Sequence, residues 1–324
     1  MNEIVALRPR RVELDRAFSH LAELAASADL SALSDPLQQF VAVIRALMPR
    51  YGDVGPAPSL DGVTFVPVNA GGPAAEWVIA ANFDPARRIV YTHGGGWVGG
   101  SPSDYRDVTA TLARLTGTAV LVVDYRLAPE HRFPAGLEDC VSAVRWAASN
   151  GPGGGRNCEP ADDQAIHLSL VGDSAGGNLA AATCLELAAK GGRLPDRLVL
   201  IAGTLDNLSP IERIGIDDQI VTPESLAAAI VAYLGPNDKA SDYRVSPMHA
   251  PRELLAKFPP TLLQASAIET LCYDSRTFAA RLDEAGVKTT LSIWPDLPHV
   301  WHAFLGLFPE AKDALHEIAD FVGR

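Results

Sequence analysis

A serine enclosed by small residues is the first candidate for chemistry in this sequence. The hexapeptide Gly-Asp-Ser-Ala-Gly-Gly occupies residues 172–177, with the serine at Ser174. The apolar run Ala165–Val171 before it predicts a buried strand, and Asn178–Lys190 after it predicts a helix. A strand-to-helix turn this sharp leaves room only for small neighbours, so the flanking glycines are sterically required. The turn would hold the serine hydroxyl at the end of the sheet, with the amide of Ala175 pointing the same way.

A run of three glycines is the second candidate. The pentapeptide His-Gly-Gly-Gly-Trp at residues 93–97 directly follows Arg88–Thr92, a short apolar segment that predicts a strand. Consecutive glycines expose backbone N–H groups and let the chain pass close to a ligand. Beside the serine turn, those amides can bind the oxyanion of a tetrahedral intermediate. A flexible turn and a phosphate-binding loop are the alternatives, although the Gly-Lys-Ser/Thr pattern of a phosphate loop does not occur here.

Two histidines near the C-terminus are candidates for a general base. His299 and His302 follow Val287–Trp294, the last predicted strand, so they would reach the same edge of the sheet as Ser174. A neutral imidazole can take the serine proton and return it to the leaving group. His299 is preferred because it is nearer the strand end, whereas His302 is expected in or near the next helix. The spacing also allows a His-x-x-His metal site, but no third ligand accompanies the pair.

A carboxylate is needed to orient the base. Glu269 lies just beyond the predicted strand Thr261–Ala265, where it can accept the imidazole Nδ1–H and fix its tautomer. The chain order serine, acid, histidine agrees with this assignment. Asp274, one helical turn further on, is the second choice, and Asp206 is the third.

The elements that must position these side chains alternate between strand and helix from residue 62 onward. Ala119–Asp124 is a continuous β-branched run, which is typical of a parallel strand buried on both faces. The alternation predicts an α/β fold with a mostly parallel central sheet flanked by helices. The other predicted strands are Gly62–Val68, Glu76–Asn82 and Arg197–Ala202, and the other predicted helices are Leu137–Asn150, Glu224–Leu234, Asp274–Ala285 and Pro309–Val322.

Two regions interrupt the alternation and predict a helical cap over the carboxyl ends of the strands. Residues 1–50 are helical in pattern and would form the N-terminal part of the cap. Residues 204–258 are inserted between two core strands and would form the second cap segment. The catalytic core would then consist of residues 51–203 and 259–324. A cap of this kind would enclose a pocket, and no long amphipathic lid is visible, so a closed pocket is expected rather than a lipid-facing surface.

Composition and charge argue against several classes of partner. The 324 residues carry a formal net charge of −12, and no basic cluster exceeds Arg8–Arg11, so a nucleic-acid partner is not expected. No stretch approaches the roughly 20 apolar residues that span a bilayer. The N-terminus lacks the apolar core of a signal peptide, which predicts a cytoplasmic location. Cys140, Cys158, Cys184 and Cys272 lack CxxC spacing, so neither disulfides nor a zinc site are expected.

Taken together, these segments resemble the bacterial hormone-sensitive-lipase family of carboxylesterases, also called family IV. Its His-Gly-Gly-Gly-aromatic loop and its Gly-Asp-Ser-Ala-Gly-Gly turn stand unaltered at residues 93–97 and 172–177. Asp124–Ala135 is similar to the family's segment between those motifs, and Ser246-Pro247 is similar to part of its run into the acid strand. The resemblance covers the chain from about residue 60 to residue 324.

The resemblance implies an α/β-hydrolase fold and a serine carboxylesterase that works through an acyl-serine intermediate. Ser174 would be the nucleophile, Glu269 the acid and His299 the base. No metal and no organic cofactor would be needed. The partner would be a small-molecule ester, with a short- to medium-chain acyl group given the predicted closed pocket, and a homodimer is compatible with the family. The sequence departs from the family pattern in two places. Many members have aspartate as the acid, where this chain has Glu269. Ala202–Asp206 lacks their usual Ser-Pro, so the resemblance does not define the acyl-pocket side of the cap.

The resemblance also assigns backbone groups around the nucleophile. The amides of Gly95, Gly96 and Ala175 would form the oxyanion hole, and His93 and Gly94 would support the glycine loop.

Trp97 is a candidate for the substrate pocket, and its place in the glycine loop is also compatible with hydrolases that act on other substrates. A His-Gly-Gly-x-Trp loop is shared with formamidase-like relatives, so an amidase, an aryl-formamidase or a lactonase on the same triad stays an alternative. A non-catalytic small-molecule receptor on this fold is a further alternative. Receptors of that kind lose the base or the nucleophile, whereas Ser174, Glu269 and His299 are all present here.

Overall fold

The computed structural model describes residues 11–81, 83–152, 166–208 and 218–323, and their central feature is an eight-stranded sheet. The strands are β1 (Val63–Asn69), β2 (Ala74–Ala80), β3 (Asp84–Thr92), β4 (Thr118–Asp124), β5 (His167–Asp173), β6 (Arg197–Ile201), β7 (Thr261–Ser266) and β8 (Thr289–Trp294). The helices are α1 (Arg11–Ala26), α2 (Pro36–Leu47), α3 (Arg106–Thr116), α4 (Ala135–Ala147), α5 (Ser174–Ala189), α6 (Pro223–Tyr233), α7 (Arg252–Leu255), α8 (Cys272–Glu284) and α9 (Pro309–Gly323).

The predicted α/β fold with a mostly parallel sheet is confirmed. The strand order is β1-β2-β4-β3-β5-β6-β7-β8; β2 runs antiparallel to β1 and β4, and the other neighbouring pairs are parallel. The predicted strands and helices recur with boundaries shifted by a few residues, whereas α3 and the short α7 were not predicted. Some predictions fall partly outside the described residues: those for Asn82, Cys158 and Ala165, for residues 1–10 of the N-terminal cap part, and for residues 209–217 of the second cap segment.

Helices cover both faces of the sheet, as a parallel sheet requires. In β4, Val120 and Val122 enter a core shared with α3 and α9, whereas Leu121 and Val123 enter a core shared with α4, α5 and α8. All four side chains are fully buried. This two-sided burial explains why β4 is apolar without interruption.

The order of the strands creates a crevice at the carboxyl end of β3. This strand lies between β4 and β5, and α3 and α5 pack on opposite faces of the sheet. The loops that leave β3 and β5 therefore diverge, and ligands of open α/β sheets bind at such a switch point. The glycine run follows β3 and Ser174 follows β5, so the fold brings the two leading sequence candidates to one crevice.

Helices from both interrupting regions lie over this crevice. α2 begins after the N-cap Asp35, and α6 begins with a capping box between Thr222 and Ser225. The two helices contact each other, and both line the cavity above Ser174. The short α7, from the later part of the second region, packs instead against α5 and α8 of the core. The division into core and cap at residues 50, 203 and 258 stays a prediction.

No helix in the described part of the chain is long and apolar enough to cross a membrane. The same residues contain no group of three or more His, Cys, Asp or Glu side chains that could hold a metal ion.

Candidate active site

Ser174 stands at a tight turn between β5 and α5. Its φ is +53°, a left-handed conformation that is uncommon for a residue with a side chain. The turn packs closely against the end of β3: a Cβ atom at Gly172 would overlap the Thr92 hydroxyl, and one at Gly176 would overlap the Thr92 carbonyl. Glycine at both positions therefore allows the turn to approach β3 this closely, and backbone strain like that at Ser174 is concentrated at functional sites.

The structure brings Ser174, His299 and Glu269 into one hydrogen-bonded chain. Ser174 Oγ lies 2.9 Å from His299 Nε2, and His299 Nδ1 lies 2.6 Å from Glu269 Oε2. The second carboxylate oxygen of Glu269 accepts the backbone N–H of Ser266 at 2.6 Å. With Nδ1–H donated to Glu269, Nε2 is free to accept the hydroxyl proton of Ser174. His299 and Glu269 are both buried.

Neighbouring parallel strands explain how two residues 30 positions apart meet. Glu269 follows β7 and His299 follows β8, so both loops leave the same edge of the sheet. The histidine loop turns sharply at Asp296 and Val300, where φ is +49° and +48°. It is tied to the acid loop by the Leu297 N–H, which donates to Ser266 Oγ at 3.2 Å.

The electrostatics of the pair favour a basic imidazole. Burial alone would lower the pKa of His299, but the hydrogen bond and negative charge of Glu269, together with smaller contributions from other carboxylates, raise it above its ordinary value. The charges of Asp218 and Asp173 act in the same direction. His299 is therefore suited to receive a proton during the reaction.

The glycine run places free amides beside Ser174. Gly95 and Gly96 have φ of +109° and +60°, and the Gly95 carbonyl accepts the N–H groups of Val98 and Gly99 at 3.1 and 3.0 Å. That turn fixes the direction of the preceding amides. Within the described residues nothing accepts a hydrogen bond from the amides of Gly95, Gly96 or Ala175, and all three residues line the cavity at Ser174. Their arrangement fits an oxyanion hole.

His93 and Gly94 lie beneath this loop. The buried His93 ring stacks on Tyr125 at 4.3 Å, and its Nδ1 donates to the Gly94 carbonyl at 2.8 Å. Burial lowers the pKa of His93 to about 4, so the ring is neutral at neutral pH. Tyr125 donates its hydroxyl to the His93 carbonyl at 2.8 Å. These contacts hold the loop and leave His93 away from the serine proton.

Asp173 is a residue of the site that sequence reasoning missed. Its carboxylate is buried and accepts the hydroxyls of Tyr91 and Tyr105 at 3.0 and 2.9 Å, as well as the Gly94 N–H at 3.1 Å. Burial raises the pKa of Asp173 to about 6, against the opposing effect of the two tyrosine hydroxyls. An acid directly before Ser174 in the hexapeptide was the available signal.

The alternative candidates lie elsewhere. His302 Nε2 bonds Gln264 Oε1 at 2.9 Å, and burial lowers the pKa of His302 to about 3. Asp274 accepts the N–H groups of Leu205 and Asp206 at 2.7 and 3.0 Å, and Asp206 in turn bonds the ring of His249. None of the three alternatives, His302, Asp274 or Asp206, takes part in the hydrogen-bonded chain of Ser174.

A cavity of about 120 Å³ opens above Ser174 and His299. Its walls are mostly apolar, with Phe40 and Ile44 from α2 facing Leu226 and Ala229 from α6. Trp97 lines the cavity and stacks on Tyr233 of α6, with ring centroids 4.5 Å apart and planes inclined by 9°. The glycine loop and α6 are therefore packed directly against each other. Whether Trp97 touches a substrate stays a prediction.

Comparison with known proteins agrees with this geometry. A family model described as the alpha/beta hydrolase fold matches residues 89–303. An acetyl-hydrolase from Streptomyces hygroscopicus is 33% identical over 79% of this chain and 81% of that protein. The chain therefore belongs to the α/β-hydrolase family.

Solved structures show which group of α/β-hydrolases this chain resembles. An esterase from the bacterial hormone-sensitive-lipase family superposes with a TM-score of 0.78 at 30% identity, covering 98% of this chain and 99% of the other. EstE5, solved after soaking with p-nitrophenyl butyrate, gives a TM-score of 0.75 at 32% identity over 95% and 97% of the two chains. The resemblance to hormone-sensitive-lipase esterases is thereby confirmed.

Proposed function

We propose that Ser174, His299 and Glu269 are the catalytic triad of this carboxylic ester hydrolase. The observation that carries the proposal is the continuous hydrogen-bonded chain from Ser174 Oγ through the imidazole to the Glu269 carboxylate. Three backbone amides without an acceptor among the described residues stand beside the nucleophile, which supports an oxyanion hole formed by Gly95, Gly96 and Ala175.

The geometry supports a two-step acyl transfer. His299 Nε2 takes the proton of Ser174 as Oγ bonds to the ester carbonyl carbon, and the oxygen becomes an oxyanion held by the amides. Each such donor contributes on the order of 3 kcal/mol to the transition state. His299 then protonates the departing alcohol and leaves an acyl-serine. Water attacks the acyl carbon while His299 takes its proton, and return of that proton to Oγ releases the acid.

The cavity supports neutral short- to medium-chain esters as substrates. In the described part of the chain no lysine or arginine lines the cavity, and the hydroxyls of Tyr51, Tyr105 and Ser225 at its lining are each engaged by a protein acceptor. The Thr204 hydroxyl, which also lines it, has no hydrogen-bond partner among the described residues. A charged acyl or alcohol group would therefore enter an apolar space at a desolvation cost. The related acetyl-hydrolase and the butyrate ester soaked into EstE5 support small acyl groups.

Hydrolysis of a p-nitrophenyl acyl series from acetate to palmitate tests the proposal. Wild type should be fastest on short chains, and Ser174→Ala should lose turnover while keeping its melting temperature, because the side chain is small. The surface variant Ser103→Ala is the matched control and should behave as wild type. Hydrolysis retained in Ser174→Ala would refute the proposal. A higher rate on a matched anilide than on the ester would move the function to an amidase.

The homodimer and the cytoplasmic location remain predictions from the resemblance and the sequence. Sedimentation velocity of the full chain measures the first, and fractionation of the source cells measures the second.

A further inference from the structure

A tyrosine that follows the N-terminal helices contacts the loop of the base. Tyr51 lies in the turn after α2, and its hydroxyl donates to the backbone carbonyl of His299 at 2.7 Å. Its ring packs on Phe304 with centroids 5.2 Å apart, which fixes the hydroxyl on the histidine loop. Tyr51 also lines the cavity above Ser174. The turn after α2 is therefore attached to the backbone of the base itself.

The segment before α6 contacts the loop of the acid in a similar way. Asp218 Oδ2 accepts the N–H of Thr270 at 2.8 Å, and the Thr270 hydroxyl donates to the Val221 carbonyl at 2.6 Å. Thr270 directly follows Glu269. The other oxygen of Asp218 accepts the N–H groups of Ile220 and Val221, so the carboxylate is also held by its own segment. The segment Asp218–Val221 and the acid loop are joined by two hydrogen bonds.

Asp218 also brings a charge to the triad. The titratable side chains that face the His299 imidazole are Glu269 on the acid loop, Asp173 at the turn before α5, His302 on its own loop and Asp218 from the segment before α6. Burial lowers the pKa of His299, and Glu269, Asp218 and Asp173 raise it in that order. Asp218 is thus the second carboxylate that favours the protonated imidazole.

We propose that Tyr51 and Asp218 are positioning residues through which the two cap-side segments hold the base loop and the acid loop of the triad. The inference rests on the proposed function, since it concerns the same triad. Neither side chain reacts. Tyr51 holds the backbone from which the His299 side chain extends. Asp218 holds the backbone after Glu269, and its negative charge acts on the imidazole. The site is then complete only when both segments are docked, because a shift of about 1 Å at a base costs a large part of the rate.

Three variants separate position from charge. Tyr51→Phe removes one donor, Thr270→Val removes one donor but keeps the charge of Asp218, and Asp218→Asn removes the charge. Each should lower kcat about threefold to tenfold, the equivalent of one hydrogen bond, with KM changed less than twofold. Only Asp218→Asn should also move the acid limb of the kcat/KM profile to lower pH, because the imidazole loses a neighbouring negative charge.

Asp196→Asn is the matched control. Asp196 Oδ2 accepts a backbone N–H, that of Leu168, at 2.7 Å, but at the amino end of β5, opposite to Ser174. This variant should keep the wild-type kcat and pH profile.

Wild-type kcat in all three variants would overturn the proposal. An acid limb that stays in place in Asp218→Asn would overturn it for that residue, since a merely structural carboxylate lowers kcat without changing the titration of His299. Failure of the triad itself is seen separately, as hydrolysis retained in Ser174→Ala.

Discussion

The Asp173 carboxylate accepts the N–H of Gly94 at 3.1 Å and so joins the serine turn to the glycine loop. Asp173 is the last residue of β5, and Gly94 lies just after the neighbouring strand β3. The two residues are 79 positions apart in the chain. Tyr105 completes the contact, because its hydroxyl donates to Asp173 and also accepts the Gly94 N–H at 2.9 Å. The nucleophile and the amides proposed for the oxyanion are thereby held at one fixed distance.

Asp173 should make stability depend on pH between about 4 and 6. Its folded pKa of about 6 lies above the ordinary value of 3.8, so the folded state binds the proton more tightly than the unfolded state. The stabilisation from that proton is present below about pH 4 and is lost as pH rises through 6. In Asp173→Asn this loss should vanish, and its unfolding free energy relative to wild type should rise by about 2 kcal/mol from pH 4 to 7. Urea titrations at both pH values measure this.

A parallel stability profile of the two proteins from pH 4 to pH 7 would contradict this prediction. Activity gives an independent readout, because the amide side chain cannot accept from both tyrosines and from Gly94. We expect a lower kcat in Asp173→Asn even where the variant is the more stable protein.

Glu269→Gln should reduce kcat by about a hundredfold to ten-thousandfold with little change in KM. The glutamine amide can donate to Nδ1, which would place the imidazole proton on Nε2, where it cannot accept from Ser174. Steady-state kinetics on p-nitrophenyl butyrate measure the loss. Asp196→Asn serves again as the control. An unchanged kcat would remove Glu269 from the triad.

The rate should fall in acid as His299 becomes protonated. Because the pKa of His299 is raised above 6.5, the acid limb of the kcat/KM profile should lie above that pH, and kcat/KM should drop as pH decreases through it. In Glu269→Gln the residual activity should show a limb at lower pH, since the main group that raises the pKa of His299 is gone. Rates measured across pH 5 to 9 at constant ionic strength test both statements. A limb below pH 6 in wild type would contradict the first.

Those parts of the site that depend on strand ends could be predicted from the sequence. Ser174, Glu269 and His299 each follow an apolar strand, and parallel strands deliver such residues to one edge of the sheet. The need for glycine near Ser174 could also be predicted from steric arguments, because a side chain at Gly172 would overlap the end of the neighbouring strand.

Residues that act through distant contacts could not be predicted. Tyr51 and His299 are 248 positions apart, and Asp218 and Thr270 are 52 apart, so nothing local marks either pair. Helix α3, by contrast, could have been predicted. Its apolar and charged side chains alternate with helical spacing, and Val108, Leu112 and Ala113 lie on its buried face.

Gly176→Ala should destabilise the protein far more than its single methyl group suggests. An added Cβ would overlap the backbone carbonyls of Thr92 and His93, which belong to the end of β3 and cannot rotate away. The serine turn and the strand must therefore separate, and overpacking of this kind costs about 1–3 kcal/mol or more. Gly323→Ala in α9 is the matched control, because nothing lies near its added Cβ. Thermal melts should show a marked loss for Gly176→Ala and none for Gly323→Ala; equal melting temperatures would mean that the turn has more room than its packing indicates.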